Sequence, residues 1–497
     1  MFLAPAVEFN FYKHTVSIQY SALPLFNMTG NRPSSGSDRS SAKRSRKGII
    51  LDIKLDVLRR LMQQSTSFVI RLGYIHINKM TEKEFKLDPD CELRFEVEGK
   101  KETVDLKLTS GKAEVFGTEL APDKPYTFFS GAKVAVYTWH GCTLKVTGNT
   151  EGTYIAKETP MVMYLNTHAC LERLRKHADE GLNHEEETRG PVTMIVGPGD
   201  VGKSTLCRIL LNYAVRMGRR PVFVDLDVGQ GSIAIPGTIG SLLVERAASV
   251  GEGFSQEAPL VYNFGHLAPS SNPTLYNILV SRMAATVQDK MVANRKASGV
   301  VINTCGWVKD EGYKSLTHVA QAFEVDVIIV LDQERLYNEL VRDIPFIKIV
   351  FLPKSGGVVE RTQPMRSSAR DDRIREYYYG LHTKYHPHSF EVKMSHLQIY
   401  KIGAPALPDS CMPADMKVDD HMTKLVPVEP SVKLKHHMLA VSLATEPEDL
   451  LTSNVAGFIC VLDVDDENKM VKVLSPQPKP LPKTIFILTE IQFMDSN

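Results

Sequence analysis

No apolar run in the 497-residue sequence approaches the ~20 residues that a bilayer-spanning helix requires. The opening residues hold no signal-peptide core, because Glu8, Asn10, Lys13 and His14 interrupt it. The seven cysteines, at 91, 142, 170, 207, 305, 411 and 460, include no Cys-x-x-Cys pair. That spacing argues against a zinc site and a disulfide framework, and it fits a reducing compartment. Excess charge of one sign is also missing. With 59 basic against 58 acidic residues the net charge is +1, so any nucleic-acid binding has to come from a local patch. Internal repeats are absent as well. These absences lead us to expect a soluble intracellular protein with no membrane partner.

What is present is too long for one core, and about three domains are expected. Residues 32–48, RPSSGSDRSSAKRSRKG, are polar, basic and Ser-rich, and they bury too little apolar surface to offset their ordering entropy. Their Lys43, Arg44, Arg46 and Lys47 fit a nuclear-import signal and a solvated linker equally well. A short helix is expected over 55–63. From about residue 86 a period of two appears in Leu93-Phe95-Val97, Val104-Leu106-Leu108, 134–139 and 143–146, which predicts a small β-sandwich followed by a helix over 171–179. Over 190–395, apolar runs at 192–196, 222–224, 260–264, 300–302, 327–331 and 346–352 alternate with helical patterns at 203–217, 273–294 and 313–323. That alternation predicts a parallel sheet with helices on both faces. After about residue 396 short strands resume at 397–402, 455–462 and 484–490, between Pro-rich stretches. The expected fold class is α/β, with a mostly parallel central sheet between an N-terminal β-sandwich and a C-terminal β-rich domain.

Gly197-Pro198-Gly199-Asp200-Val201-Gly202-Lys203-Ser204-Thr205 satisfies G-x-x-x-x-G-K-[ST], with a strand before it and a helical pattern from Lys203. Glycines let successive backbone N–H groups turn toward phosphate oxygens, and the helix N-terminus adds its positive dipole end. Lys203 is expected to reach the β- and γ-phosphates, and Ser204 to complete a Mg²⁺ shell.

The strand that follows, 221–231, carries Asp225 and Asp227 at its C-terminal end. Two apart, they share one side of the sheet. One can steady Mg²⁺ through water while the other accepts a proton from an incoming hydroxyl. The plainer alternative is a water-held metal contact as in any ATPase. No Asn-Lys-x-Asp guanine reader occurs in the sequence, which favours ATP.

The combination of GPGDVGKST, DLDVGQGSIAIPGTIG, INTCGWVKDEGY and SGGVVERTQPMRSSARDDRIREYYYG closely resembles the Clp-type polynucleotide 5′-hydroxyl kinases. The likeness runs from about Glu82 to the C-terminus and includes both β domains. It implies an N-terminal β-sandwich at 86–180, a P-loop kinase domain with a lid at 190–395 and a C-terminal β-rich domain at 396–497, behind an extension at 1–85. It also implies a nuclear enzyme that uses ATP and Mg²⁺ to phosphorylate RNA with a 5′-hydroxyl end. The partners implied are subunits of the cleavage and polyadenylation machinery and of the tRNA-splicing endonuclease.

Residue by residue, the resemblance implies that Asp200, Val201, Gly202, Lys203, Ser204 and Thr205 hold the nucleotide. Ser204 and Asp225 serve the metal, and Asp227 is the general base. Thr304-Cys305-Gly306-Trp307 matches a clasp in which Thr304 and Trp307, with Gln230, grip the RNA end. Arg361, Arg366 and Arg370 match a lid over the transferring phosphoryl group, with Arg361 and Arg366 catalytic. Glu92 and Lys133 match nucleotide contacts from the β-sandwich and rest on the resemblance alone.

Physical chemistry favours some of these roles and leaves alternatives. An indole at a strand end offers a stacking face for a terminal base, though large aromatics commonly pack in cores, as Trp139 is expected to do. Lid arginines after Gly356-Gly357 would neutralise charge on the transferred group. A solvated helix balanced by Asp371, Asp372 and Glu376 is the alternative. His386, His388, His436 and His437 lack a ligand spacing, so no zinc is assigned. Met80 opens MTEKEFKLDPDCELRF, similar to a family N-terminus. Residues 1–79 are therefore expected to be a dispensable extension or the product of a start assigned too far upstream. The functional alternative is a nucleotide-bound scaffold that catalyses nothing.

Overall fold

Val104, Leu106 and Leu108 are buried while Thr103 and residues 109–111 are exposed, the alternation that commits this segment to a strand with one face inward. The computed structural model describes residues 10–11, 14–15 and 82–495, apart from 98, 100–101, 184–188, 295–297, 382–383 and 406–419. The chain divides into two units, Met1–Asn78 and Lys79–Asn497. In the first, Asn10–Phe11 and His14–Thr15 pair antiparallel. The basic stretch 32–48, the helix expected at 55–63 and the rest of the extension 1–79 lie outside the described residues.

The second unit begins with nine strands, β1 Glu82–Leu87, β2 Cys91–Glu96, β3 Thr103–Gly111, β4 Glu114–Val115, β5 Thr118–Glu119, β6 Pro125–Phe129, β7 Lys133–Thr138, β8 Cys142–Thr147 and β9 Glu151–Ala156. They form a four-stranded sheet in the order β1-β8-β3-β6 and a five-stranded sheet in the order β9-β2-β7-β4-β5. Leu93, Phe95, Leu106, Leu108, Val136 and Leu144 fill the space between the sheets. Each such side chain contributes about 1.5–3 kcal/mol relative to exposure. Because Leu93 and Phe95 face inward, Glu92, Arg94 and Glu96 occupy the outer face of β2.

Helix α1, Met161–Asn183, is longer at both ends than its expected core and leads into the central sheet. Its strands are β10 Val192–Val196, β11 Val222–Asp225, β12 Thr238–Leu243, β13 Leu260–Asn263, β14 Val300–Asn303, β15 Val327–Leu331 and β16 Lys348–Leu352, in the order β13-β12-β11-β14-β10-β15-β16. The run β11-β14-β10-β15-β16 is parallel. β12, absent from the sequence expectation, is antiparallel to both neighbours. Its Gly240-Ser241 centre and burial on both sides erase the alternation by which a strand is recognised. The helices are α2 Lys203–Arg216, α3 Pro273–Asn294, α4 Glu311–Ala322, α5 Glu334–Asp343 and α6 Gln363–Tyr379. Of these, α5 was not expected; it buries Leu336 and Leu340 on one face.

A short helix α7, Asp420–Thr423, accompanies the last seven strands: β17 His388–Lys393, β18 Gln398–Ile402, β19 Leu425–Val428, β20 His437–Ser442, β21 Val455–Asp465, β22 Met470–Ser475 and β23 Ile485–Gln492. Their order is β17-β22-β21-β20-β23-β18-β19. One face of this sheet has its own core around Leu439, Val461 and Phe486. The other sends Met438, Phe458 and Ile487 into the main core of the central domain. No described helix is long and apolar enough to cross a membrane. Among the described residues no group of His, Cys, Asp and Glu is arranged to hold a metal, and the histidines singled out above form no such cluster.

Candidate active site

β10 ends at Val196 and α2 starts at Lys203, so the loop between them sits on the C-terminal edge of the sheet. Gly202 turns the chain into the helix at φ 89°, a left-handed angle that favours glycine. The unpaired N–H groups of the first turn and the dipole end of α2 therefore face one space. Lys203 is buried, and its Nζ donates to the carbonyls of Gly197 at 2.9 Å and Pro198 at 2.7 Å. Burial pushes this ammonium below its usual range, against the pull of Asp227. Val201 is buried beneath the loop, Thr205 is half-buried and Ser204 is exposed to the cavity.

The two aspartates differ sharply. Asp225 Oδ1 accepts from Asp227 N at 3.1 Å and Asn303 Nδ2 at 3.0 Å, and Oδ2 accepts from Ser232 N at 2.8 Å and Ser232 Oγ at 2.7 Å. Four bonds fill the roughly four acceptor positions of a carboxylate. Asp225 is 1% exposed and is absent from the cavity wall. Direct metal ligation would require it to break one of these bonds. Asn303 also donates to Ser204 Oγ at 3.3 Å, linking Asp225 to the phosphate-loop hydroxyl. Asp227 does line the cavity, and its Oδ1 accepts from Gly229 N at 3.0 Å and Gln230 N at 3.1 Å. Burial and then the charge of Asp225 hold its carboxyl above the usual range, against Lys203 and the two backbone donors.

The clasp departs from expectation at its first residue. Thr304 is 1% exposed, and its hydroxyl donates to Ile195 O at 2.8 Å, so it ties the clasp to β10 and does not face the cavity. The structure thus gives Thr304 a structural bond and does not bring its side chain to the cavity with Trp307 and Gln230. Gly306 is the demanding position, since a Cβ there would lie 2.6 Å from Gly199 N. Trp307 is half-buried and lines the cavity. Trp139, expected in the core, is also only half-buried and packs edge-on to Tyr137. Cys305 lines the cavity too, but burial pushes its thiol to about 11, which rules out a thiolate nucleophile near neutral pH.

The lid approaches from the opposite side. Asp200, at φ 54°, accepts from Arg361 N at 2.9 Å, Arg361 Nε at 3.0 Å and Arg366 Nη2 at 2.6 Å. Burial alone would raise this carboxyl, but the Arg361 backbone donor and the two guanidiniums bring it down to about 2. Gln230 joins the latch, accepting from Arg361 Nη1 at 3.1 Å and donating to Arg366 O at 3.4 Å. Arg370 lines the cavity one turn further along α6.

The β-sandwich forms the remaining wall. On the outer face of β2 and β7, Glu96 lies opposite Lys133 and pairs with it at 2.6 Å. Glu92 is 6% exposed and pairs with Arg94, and burial raises its carboxyl against that arginine. The cavity has a volume of about 1100 Å³, opens to solvent, and touches the phosphate loop, Asp227, Gln230, Trp307, the lid arginines, Glu92 and Lys133. Sequence reasoning missed Asn303, Ser232 and Arg94. The asparagine ends a strand beside the phosphate loop, a position worth weighing; nothing local marks the other two.

A magnesium ion fits this chemistry. Ser204 offers a hydroxyl to the cavity, and Asp227, half-buried near the charge of Asp225, gains from an added positive charge. With so few protein ligands the remaining positions would fall to water and phosphate oxygens, the usual manner of Mg²⁺.

The chain matches family models described as mRNA cleavage and polyadenylation factor CLP1 P-loop over residues 197–380, N-terminal beta-sandwich domain of polyadenylation factor over 86–178, and Pre-mRNA cleavage complex II protein Clp1 over 385–495. It is 58% identical over 418 residues to the Protein CLP1 homolog of Anopheles gambiae, covering 83% of this chain and 98% of that protein. To the Polyribonucleotide 5'-hydroxyl-kinase Clp1 of Gallus gallus it is 57% identical over 415 residues, covering 83% and 96%. A solved wild-type Clp1p–Pcf11p complex shares its fold, with a TM-score of 0.71 at 24% identity over 84% of this chain and 99% of that one. With the nucleotide-binding loop that defines its central domain, this chain belongs to the Clp1 family.

Proposed function

We propose that this chain transfers the γ-phosphoryl group of ATP to the 5′-hydroxyl of RNA. The observation that carries the reading is that one cavity joins the phosphate loop, a half-buried carboxylate with a raised pKa and an indole face. A nucleotide-hydrolysing machine needs the first of these; an acceptor-specific kinase needs all three. The names of the vertebrate relatives support the same activity.

In this reading the backbone N–H groups of residues 199–204 and Lys203 bind the phosphates, and Lys203 gives up its loop carbonyls to do so. Bound Mg²⁺ would supply charge neutralisation between the β- and γ-phosphates, held by Ser204. Trp307 stacks the terminal base and Gln230 holds the RNA end. Asp227 accepts the proton of the attacking hydroxyl, and its raised pKa brings it nearer to a working base than an ordinary aspartate. Arg361 and Arg366 leave Asp200 for the transferring group and stabilise its charge. Glu92 and Lys133 hold the nucleoside end. The protein works in the nucleus, with subunits of the cleavage and polyadenylation factor and of the tRNA-splicing endonuclease.

The purified protein, incubated with γ-labelled ATP and a 5′-hydroxyl RNA oligomer, is expected to label the oligomer and to leave a 5′-phosphorylated one unlabelled. ATP binding without transfer would replace the kinase reading with that of a nucleotide-bound scaffold.

A further inference from the structure

Arg94 is a buried arginine that no role described so far uses. It sits at the centre of β2, 7% exposed, on the cavity face. Its guanidinium has three partners on three different segments. Nε donates to Glu92 Oε2 at 2.7 Å, Nη1 to the Tyr154 hydroxyl at 3.2 Å, and Nη2 to Ser355 Oγ at 3.3 Å. Ser355 opens the Ser355-Gly356-Gly357-Val358 turn that leads from β16 into the lid. The contact is close. A Cβ on Gly357 would lie 2.9 Å from Arg94 Cδ and Nε, and one on Gly356 would lie 3.2 Å from Nη1. A side chain at position 357 would have to displace the Arg94 side chain, and one at 356 would crowd its tip.

The turn is fixed internally as well. Ser355 Oγ accepts from Gly357 N at 3.2 Å, and Ser355 O accepts from Val358 N at 3.1 Å. On its far side, Val358 Cγ2 is 3.2 Å from the Cβ position of Gly202 in the phosphate loop. Pro353, just before the turn, accepts at its carbonyl from the Tyr164 hydroxyl at 3.1 Å. A continuous line of contacts therefore runs from Glu92 through Arg94 to the lid hinge and on to the phosphate loop. Arg361 lies three residues beyond Val358.

We propose that Arg94 is a positioning residue that holds the hinge of the lid against the β-sandwich wall, so that the wall touched by the nucleoside and the arginines over the phosphates are set in place together. This rests on the kinase reading above. A rigid hinge matters because displacement of a positioning contact by about 1 Å can cost on the order of a hundredfold in rate. The five-donor fork of arginine fits the role, since lysine carries the charge but cannot reach a carboxylate, a phenol and a serine at once.

The test uses Arg94→Lys and Gly357→Ala in the full chain, the second variant pushing the guanidinium away from the lid side while residue 94 stays arginine. Both are expected to keep ATP binding within about threefold while kcat for label transfer falls about tenfold or more. Trypsin should cut faster at the lid arginines of both variants with ATP bound. The double variant should be no slower than the worse single one, as for two changes to one contact. Either variant keeping kcat within twofold of wild type, or rate losses that multiply in the double, would overturn the proposal. So would a tenfold loss of ATP affinity with kcat intact, which assigns Arg94 to nucleotide binding alone. Failure of wild type to transfer label defeats the kinase reading instead, which keeps the two failures distinct.

Discussion

The floor of the cavity and its lid are held by different physics. In the floor, Asp225 and Asn303 end parallel strands, Asp227 lies in the turn after one and Ser204 stands in the first turn of α2; backbone donors fix both aspartates, and the Asn303 amide joins Asp225 to Ser204. In the lid, Arg361 and Arg366 are more than a third exposed and are held mainly by one carboxylate, Asp200. The contrast appears in the two cavity aspartates. Asp227 is pushed up by burial and by a like-charged neighbour, and Asp200 is drawn down to about 2 by the Arg361 backbone N–H and two guanidiniums. A floor built of short backbone bonds is preorganised for chemistry. A lid held by one partly exposed charge cluster can release when phosphates compete for its arginines.

The largest expected effect breaks the floor. Asp227→Asn keeps the shape and the acceptor oxygen but cannot take a proton, so label transfer should fall by about 10²–10⁴. ATP affinity should stay within a few-fold. Equal activity in this variant removes Asp227 from the base role. In wild type the base works ionised, so kcat/KM should rise with pH through a value above the ordinary aspartate range, set by the raised carboxyl of Asp227. Asp200 stays charged until the pH nears 2, so this limb reports the floor and not release of the lid. A limb at or below the ordinary aspartate value would contradict the assignment.

A smaller effect loosens the lid and leaves the floor alone. Asn tolerates the left-handed backbone angle of Asp200 and retains a hydrogen-bonding oxygen, so Asp200→Asn removes charge with little strain. Partly exposed ion pairs are worth about 0–1 kcal/mol each. Trypsin cleavage at the lid arginines of the nucleotide-free protein should accordingly rise about threefold to tenfold. With ATP bound, the difference should shrink as phosphates take over the arginines. Unchanged cleavage without nucleotide would show that Asp200 is not the latch.

How legible the molecule was in its sequence divides along the same line. The phosphate loop was legible because its glycines, lysine and hydroxyl are contiguous and the strand before it is apolar but for Thr193. The sandwich strands were legible because one face is wet, whereas β12 is buried on both sides and carries glycine, so its pattern says nothing. That the Thr304 side chain turns away from the cavity was not legible, because a clasp motif names residues without saying which way each points. At the end of a strand successive side chains diverge, so Asn303 meets the phosphate loop and Thr304 turns to Ile195. Arg94 was invisible for a different reason. It stands in an alternating strand like any outward charge, and its partners Tyr154 and Ser355 lie 60 and 261 residues away.

The smallest expected effect on activity concerns how the sandwich is held to the floor. Arg216, at the end of α2, pairs with Glu114 at 2.7 Å and with Glu119 at 2.5 Å, and donates to Gly117 O at 3.1 Å. Glu114 is 2% exposed and also accepts from the Tyr213 hydroxyl. Removing the arginine leaves a buried carboxylate without its cation, which costs more than the pair contributes. Because Arg216 is itself about a third exposed, the Arg216→Ala loss should be about 2 kcal/mol, below the 3–5 kcal/mol of a fully buried pair. Calorimetry should show this as a fall of several degrees in Tm, with kcat at 25 °C within about twofold of wild type. Adding Glu114→Gln should recover part of the fall, because the amide needs no counter-charge. If the second substitution deepens the fall instead, the loss comes from missing packing and not from an uncompensated charge.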